Sequence, residues 1–176
     1  EVPITHSILR ADALAAVIAE AYDLGGPGYA ELLSRGVNDV YLLRAGGTQY
    51  VARALRSGFR SLDQVCYEMA LIRFHAAHGL DAAIPVANRQ GIDFITVTAP
   101  EGDRFLSVFD WAEGAPMARH GSPDDARRLG SRVAQMHETA MAFRPPVGVD
   151  VNTPGFLARN RPALMEMVDA DSAAGK

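Results

Sequence analysis

The pattern of apolar and polar positions between residues 29 and 56 is typical of antiparallel β-strands. Short runs that favour strands are separated by a turn around Gly36 and by the pair Gly46-Gly47. A pair of glycines between two strands predicts a tight hairpin, because both central positions of such a turn require positive φ. This segment is therefore expected to form a three-stranded antiparallel meander.

Helical periodicity precedes and follows the meander. Within residues 11–22, apolar side chains recur on one helical face at Leu14, Val17, Ile18 and Ala21. A second helix is predicted to begin at Ser61, because a hydroxyl at the N-cap and a glutamine three residues later form a capping box. Its apolar stripe consists of Val65, Met69, Ile72 and Ala76. Gly79 then provides a typical helix stop.

Two more strand-like runs follow at residues 94–98 and 105–109, with a polar turn between them. Five antiparallel strands with one main helix packed on them predict an α+β lobe over residues 1–109, which also contains the N-terminal helix. Residues 110–121 are expected to form a linker. Residues 122–176 return to helical periodicity and are expected to be the start of an incomplete helical lobe.

Two helix starts are predicted in that last part. Ser122 before Pro123 is a good N-cap and N1 pair, and Thr153 before Pro154 has the same form. The second helix would carry the apolar side chains Phe156, Leu157, Leu164 and Met167. An unfinished helical lobe is expected to leave Leu157, Leu164 and Met167 uncovered, and uncovered apolar surface usually marks an interface.

Composition narrows the class of protein. The 176 residues are 48% hydrophobic and 22% charged, as expected for a soluble globular protein. A net charge of −4 argues against nucleic-acid binding, which needs clustered cations to neutralise phosphates. The single cysteine, Cys66, excludes an internal disulfide and fits a reducing compartment. No apolar run reaches the roughly 20 residues of a bilayer span, and no leader pattern opens the sequence. A cytoplasmic location without membrane association is therefore expected.

One strand and one helix carry opposite charges that are expected to meet. Val51 and Arg53 lie two positions apart on the third strand, so they should face the same side of the sheet. Glu68 lies on the helix that covers the sheet and is expected to pair with Arg53. An arginine held in this way can bind a phosphate through two hydrogen bonds. The alternative is that both are unrelated, solvated surface residues.

Two backbone segments are candidates for ligand contacts near this pair. Gly36 and Asn38 both tolerate positive φ, so their turn can fold tightly and direct N–H groups toward phosphate oxygens. Asp110, Trp111 and Ala112 begin the linker, where exposed backbone groups can contact the edge of an adenine ring. An ordinary hairpin turn and a plain interdomain linker are the alternatives.

The five histidines form no metal-ligand or catalytic arrangement with their neighbours in sequence. Structural or surface roles are expected for all of them. No catalytic residue and no metal ligand is therefore predicted within this sequence.

Taken in order, these segments resemble the aminoglycoside phosphotransferase and choline kinase-like superfamily of small-molecule kinases. The similarity rests on the stretches LLSRGVNDVYLLRAGGTQYVARAL, YEMALIRFHAAHGL, IPVANRQG, FLSVFDWAEGAP and ARRLGSRVAQMHETA. It implies a protein kinase-like N-lobe, with ATP bound beneath the turn that contains Gly36 and Asn38. Arg53 would stand in place of the phosphate-binding lysine, Glu68 would be its helix partner, and residues 110–112 would form the hinge.

The sequence departs from this superfamily at the catalytic loop. Phosphoryl transfer there depends on a His-Gly-Asp-type loop with a downstream asparagine, and on a later aspartate that chelates magnesium. None of the five histidines here is followed two positions later by aspartate. The chain is therefore expected to be the ATP-binding portion of a phosphotransferase that acts on a hydroxyl group of a small molecule or peptide. Magnesium is expected only if the missing segment is supplied.

Several forms of the whole protein stay open at this point. The chain fits a fragment of a longer enzyme or a natural split enzyme whose second chain supplies the catalytic half. It also fits a non-catalytic half-kinase that binds a partner protein or peptide, or that forms homo-oligomers through exposed helical surface. A plain α+β domain without a nucleotide site is the remaining alternative.

Overall fold

The computed structural model describes residue 4 and residues 6–114 and 121–146. Within these residues the elements are α1 (Ala11–Ala21), β1 (Gly28–Arg35), β2 (Asn38–Ala45), β3 (Thr48–Leu55), α2 (Leu62–Ala77), β4 (Ile95–Ala99), β5 (Gly102–Asp110) and α3 (Pro123–Ala142). The strands form one antiparallel sheet in the order β1-β2-β3-β5-β4. The predicted α+β lobe, with five antiparallel strands and one main helix, is confirmed.

The hairpin between β2 and β3 forms as the sequence predicts. Gly46 and Gly47 have φ of 55° and 80°, respectively. A Cβ atom on Gly46 would lie 2.4 Å from the carbonyl oxygen of Leu24. Glycine is therefore required at position 46 both by its backbone conformation and by the close approach of the backbone at Leu24.

The two faces of the sheet bury different residues, because side chains alternate along each strand. The α1 face, which packs against α1, holds the larger core: Leu14, Ala15, Ile18, Tyr41, Leu43, Ala52, Ala54, Leu106 and Val108. The α2 face, which packs against α2, holds a smaller cluster: Leu55, Val65, Met69 and Phe109. Helix α1 buries Ala15 instead of the predicted Val17, which is 40% exposed. Its buried stripe is thus rotated by part of a turn from the predicted one.

Helix α2 begins and ends where its sequence predicts. The Ser61 hydroxyl accepts a hydrogen bond from the Gln64 amide, and the Gln64 side chain accepts one from the Ser61 amide. This capping box satisfies two N–H groups that lack partners inside the helix. Gly79 follows the helix with φ of 80°, as expected for a helix stop.

Helix α3 begins with a second capping box, formed by Ser122 and Asp125. None of its residues is buried. Phe143 directly follows the helix. The centroid of its ring lies 5.5 Å from that of Tyr67 and 5.2 Å from that of Phe74, both on α2. The apolar side chains of α3 are largely exposed at Leu129, Val133 and Met136.

The sheet ends close to the predicted start of the linker at residue 110. Strand β5 includes Asp110, so the chain leaves the sheet at Trp111. The helix predicted to begin at Thr153 and Pro154 lies outside the described residues.

Candidate functional site

A cavity of about 540 Å³ opens on the α2 face, where β5 ends. This volume is within the range of small-molecule binding sites. The cavity is lined by Val40, Val51, Arg53, Ile72, Ala82, Ala83, Phe109, Asp110, Trp111 and Ala112. Five of the predicted site residues therefore line the same cavity, namely Val51, Arg53, Asp110, Trp111 and Ala112.

The lining is mostly apolar, with a cation and an anion at separate positions. Among the described residues of the lining, Arg53 is the basic side chain and Asp110 is the acidic one. An apolar cavity with a few well-placed polar groups is the usual form of a small-molecule site. This arrangement suits a ligand with an apolar part and an anionic group that reaches Arg53.

Arg53 and Glu68 form the ion pair that the sequence predicts. Arg53 Nη2 lies 2.7 Å from Glu68 Oε1. The alternation of β3 places Arg53 on the same face as Val51, and Glu68 reaches it from the second turn of α2. The two side chains are 22% and 32% exposed. Such a solvent-accessible pair contributes about 0–1 kcal/mol to stability.

Arg53 keeps hydrogen-bonding capacity after this pairing. Its guanidinium carbon lies 4.8 Å from the centroid of the Phe109 ring, so an aromatic ring and a carboxylate together hold the group. Its Nε is buried and has no hydrogen-bond partner within the described part of the chain. Since a guanidinium has five N–H groups, the remaining donors are available to an anion that enters the cavity.

The segment of residues 84–86 fixes how the chain leaves β5. The Val86 amide donates to the Val108 carbonyl at 2.8 Å, and the Asp110 amide donates to the Ile84 carbonyl at 2.9 Å. These bonds extend the sheet by one short antiparallel bridge. The Asp110 amide is therefore already hydrogen-bonded. The backbone groups of the residues that follow Asp110 face no neighbouring strand of the sheet.

Helix α2 braces this segment from the other side. Arg73 Nη2 donates to the Pro85 carbonyl at 2.7 Å. Arg73 Nε donates to Asp93 at 2.9 Å, and this hydrogen bond to the carboxylate raises the pKa of the Arg73 guanidinium. The cavity wall and the end of β5 are thus tied to the same helix that carries Glu68.

The turn between β1 and β2 differs from the prediction. Neither Gly36 nor Asn38 has positive φ, and neither lines the cavity. The Gly36 amide donates to the Asn38 carbonyl at 3.1 Å, and the Gly36 carbonyl accepts a hydrogen bond from Arg56 at 2.6 Å. These two bonds close the turn without a left-handed backbone. The turn thus lacks the positive φ that its sequence suggests, and its Gly36 N–H is bonded within the turn.

Sequence reasoning missed part of the lining, including Val40, Ile72, Ala82 and Ala83. Val40 stands directly opposite Arg53 in the β2–β3 register, and this register cannot be read from the sequence alone. The run Ile84-Pro85-Val86 offered a signal for the missed bridge, because a proline between two β-branched residues favours an extended edge segment.

Two kinds of feature are not found among residues 6–114 and 121–146. No group of three or more His, Cys, Asp or Glu side chains there could hold a metal ion. None of the helices in that part of the chain is both long enough and apolar enough to cross a bilayer.

Comparison with known proteins assigns the family. The model of the phosphotransferase enzyme family matches residues 30–174. The chain belongs to this family. The resemblance to small-molecule kinases that the sequence suggests is thereby confirmed.

An uncharacterized protein of Deinococcus radiodurans is 32% identical to this chain over an alignment of 171 residues. These residues make up 95% of this chain and 49% of that protein. The chain spans 40% and 49% of the lengths of the curated relatives that it matches, so it corresponds to less than half of each.

Solved phosphotransferase structures share the fold. The structure of a microcompartment-associated aminopropanol kinase matches with a TM-score of 0.63 at 23% identity, over 81% of this chain and 44% of that one. The amicoumacin kinase hAmiN, in complex with AMP-PNP, Ca²⁺ and Ami, matches with a TM-score of 0.59 at 23% identity, over 77% of this chain and 41% of that one. These similarities support the protein kinase-like fold of the described lobe.

Proposed function

We propose that this chain is the nucleotide-binding part of an ATP-dependent phosphotransferase, and that the cavity on the α2 face binds ATP. The observation that carries the proposal is the position of Arg53. Its guanidinium lines an apolar cavity, is held by Glu68 and Phe109, and retains a buried N–H group without a partner in the described part of the chain. A cation held in this way is suited to binding phosphate.

The residues present fit a nucleoside triphosphate. The volume of about 540 Å³ and the apolar lining near Val51 and Trp111 suit a purine base. The free donors of Arg53 suit the phosphates. When bound, ATP supplies the phosphoryl group for transfer.

Each predicted residue then has a separate task. Val51 packs against the base, and Arg53 binds the phosphates. Glu68 fixes the rotamer of Arg53 through the 2.7 Å ion pair. Because the Asp110 amide already bonds to a carbonyl of the neighbouring segment, contacts with the base edge fall to the Asp110 carbonyl and to the backbone of Trp111 and Ala112.

The turn of Gly36 and Asn38 comes directly before Val40, which lines the cavity across from Arg53. With its glycine amide bonded internally, it covers the phosphate side of the cavity instead of donating that N–H group. Both residues therefore belong to the proposed nucleotide site.

The division of the chain follows from this proposal. Residues 1–109 form the nucleotide-binding lobe, residues 110–121 the hinge, and residues 122–176 the start of the helical lobe. No histidine in the sequence has an aspartate two positions later. We therefore place the group that accepts the hydroxyl proton, and the ligands of magnesium, outside these residues, on the same polypeptide or on a second chain.

The acceptor is proposed to be a hydroxyl group of a small molecule, with a peptide as the alternative. The names of the kinases with this fold refer to amicoumacin and aminopropanol, which are small molecules. The complex of hAmiN with AMP-PNP likewise supports an adenine nucleotide as the phosphate donor.

Calorimetric titration with ATP tests the proposal on the full-length protein. Arg53→Ala is expected to weaken ATP binding about 10- to 100-fold, the equivalent of one hydrogen-bonded charge contact of about 1.5–3 kcal/mol. Arg53→Lys is expected to recover part of the loss. Arg127→Ala is the matched control, since Arg127 forms an exposed ion pair with Asp124 on α3. Equal ATP affinity in the wild type and Arg53→Ala would contradict the proposal.

A second candidate function is a non-catalytic module that binds a partner or a second copy of the chain. The exposed apolar side chains of α3 favour it, with Leu129 51% and Met136 44% exposed. Sedimentation of the protein over a range of concentrations, with and without ATP, separates the two candidates. Self-association together with the absence of ATP binding would favour this module.

A further inference from the structure

A second arginine–carboxylate pair lies on the α1 face of the sheet, away from the cavity. Arg104 Nη2 is 2.7 Å from Asp39 Oδ2, and both side chains are 0% exposed. Arg104 is on β5 and Asp39 is on β2. The pair therefore joins two strands that are not neighbours, across the buried side of β3.

The hydrogen-bonding capacity of Arg104 is used by several elements at once. Its Nε donates to the Leu55 carbonyl at the end of β3 at 2.7 Å, and its Nη1 donates to the Ser7 carbonyl at 3.0 Å. The Glu101 carboxylate lies 3.7 Å from Nη1. Arg104 thus contacts the N-terminal segment, the end of β3 and the β4–β5 turn, which lie around Asp39.

The N-terminal segment completes the cluster before α1. Asp39 Oδ1 lies 3.2 Å from His6 Nε2. The Ser7 amide and hydroxyl donate to Glu101 at 3.1 Å and 2.7 Å. Burial raises the pKa of Glu101, but these hydrogen bonds and the Arg104 charge outweigh it and lower that pKa. The carboxylate is therefore held in its charged form beside Arg104.

Asp39 connects this cluster to the cavity on the other face. It is the second residue of β2, directly after the β1–β2 turn, and it pairs with Arg35 on the other side of that turn. Its neighbour Val40 faces the opposite way and lines the cavity, where it stands across from Arg53. The contacts of Asp39 on the α1 face therefore hold both the β1–β2 turn and the start of β2 in place. These two parts border the side of the cavity that is proposed to bind the phosphates.

We propose that Asp39 and Arg104 are positioning residues for the phosphate-binding side of the nucleotide site. They act through β2, by holding the β1–β2 turn and Val40 in place relative to Arg53. The inference rests on the proposed function, since it assigns a role in nucleotide binding to side chains that do not contact the cavity. Its consequence is selective: loss of the anchor reduces binding of the phosphates and spares binding of the base.

The test compares ATP with adenosine, each titrated calorimetrically into full-length protein at a temperature where circular dichroism shows every variant folded. Asp39→Asn is expected to weaken ATP binding about tenfold, because small misplacements of binding groups reduce productive contacts steeply. Adenosine binding is expected to change by less than about twofold, within the error of independent sites. Glu101→Gln, a milder change in the same cluster, is expected to act in the same direction and serves if Asp39→Asn does not fold.

Ile18→Ala is the matched control for general destabilisation. Ile18 lies on α1, is 1% exposed and packs on the same face of the sheet, so its truncation weakens the same core without touching the cluster. We expect it to leave the affinities for both ligands unchanged. Equal losses of ATP and adenosine affinity in Asp39→Asn, or no loss of either, overturn the inference.

Arg53→Ala, measured in parallel, separates the two proposals. If Arg53→Ala loses ATP affinity and Asp39→Asn does not, only the positioning role fails. If Arg53→Ala keeps the ATP affinity of the wild type, or if the wild type binds no ATP, the proposed function fails, and the positioning role fails with it.

Discussion

On the α1 face of the sheet, Arg104 and Asp39 are 2.7 Å apart and fully buried; on the α2 face, Arg53 and Glu68 are also 2.7 Å apart but partly exposed beside a cavity. The distance is the same, and the surroundings differ. Arg104 donates to backbone carbonyls of β3 and of the N-terminal segment, whereas Arg53 keeps a buried Nε without a partner among the described residues.

The comparison shows how burial separates two uses of the same chemistry. A buried charge must have its partners inside the protein, because an unpaired one costs several kcal/mol. A partly exposed charge can exchange solvent for a ligand at little cost. Arg104 is therefore suited to holding β2 and β5 in place, and Arg53 is suited to binding an anion reversibly.

The largest expected difference between the two pairs is in stability. Arg104→Ala is expected to lower the free energy of unfolding by about 3–5 kcal/mol, because it leaves Asp39 buried without its main cation. Arg53→Ala is expected to lower it by about 1 kcal/mol or less, as for an exposed pair. Urea unfolding followed by circular dichroism measures both. Similar losses in the two variants would remove the distinction.

A pair of double-mutant cycles isolates the two interactions themselves. The Asp39→Asn and Arg104→Met cycle is expected to give a coupling energy of about 2–3 kcal/mol, near the upper end for contacting residues. The Arg53→Met and Glu68→Gln cycle is expected to give less than about 1 kcal/mol. A larger coupling energy for the cavity pair than for the buried pair would contradict the assignment.

Much of the fold was predictable because its signals are local. The glycine pair at 46–47 specifies the hairpin, and Ser61 with Gln64 specifies the start of α2. The two-residue period of β3 predicts that Arg53 faces α2, and the pairing with Glu68 follows from it. These features depend on residues close together in sequence or on one repeating period.

The parts that were missed depend on the register between distant segments. Asp39 and Arg104 are 65 positions apart, and each resembles an ordinary surface charge on an alternating strand. Their burial follows from the packing of the N-terminal segment across the sheet, which no local pattern indicates. The Gly36 turn was misjudged for a related reason, because its closing bond from Arg56 comes from another strand end.

The loss of stability at acidic pH provides a further test of the buried cluster on the α1 face. The lowered pKa of Glu101 means that its contribution to stability is complete above the ordinary glutamate pKa of about 4.3 and is lost as the pH falls through the lower, folded-state value. Ser7→Ala removes a hydrogen bond that lowers this pKa and is expected to flatten that acid-side loss. Thermal melting between neutral and acidic pH measures it; an unchanged profile in Ser7→Ala would count against the buried cluster as described.

The smallest expected effect is on the helix partner of Arg53. Glu68→Gln keeps the size of the side chain and a hydrogen-bond acceptor but removes the charge. It is expected to weaken ATP binding by about two- to tenfold, an effect of about 0.5–1.5 kcal/mol for one hydrogen bond, with little change in the urea midpoint. An ATP affinity equal to that of the wild type would show that Glu68 does not fix Arg53 for binding.

The most direct measurement is an experimental structure of the protein with a non-hydrolysable ATP analogue. We predict that the base lies between Val51 and the backbone of Asp110 to Ala112, and that a phosphate oxygen accepts a hydrogen bond from Arg53. The Arg104–Asp39 ion pair should have the same geometry with the analogue bound as without it. An analogue bound away from this cavity, or phosphates that make no contact with Arg53, would contradict the proposed site.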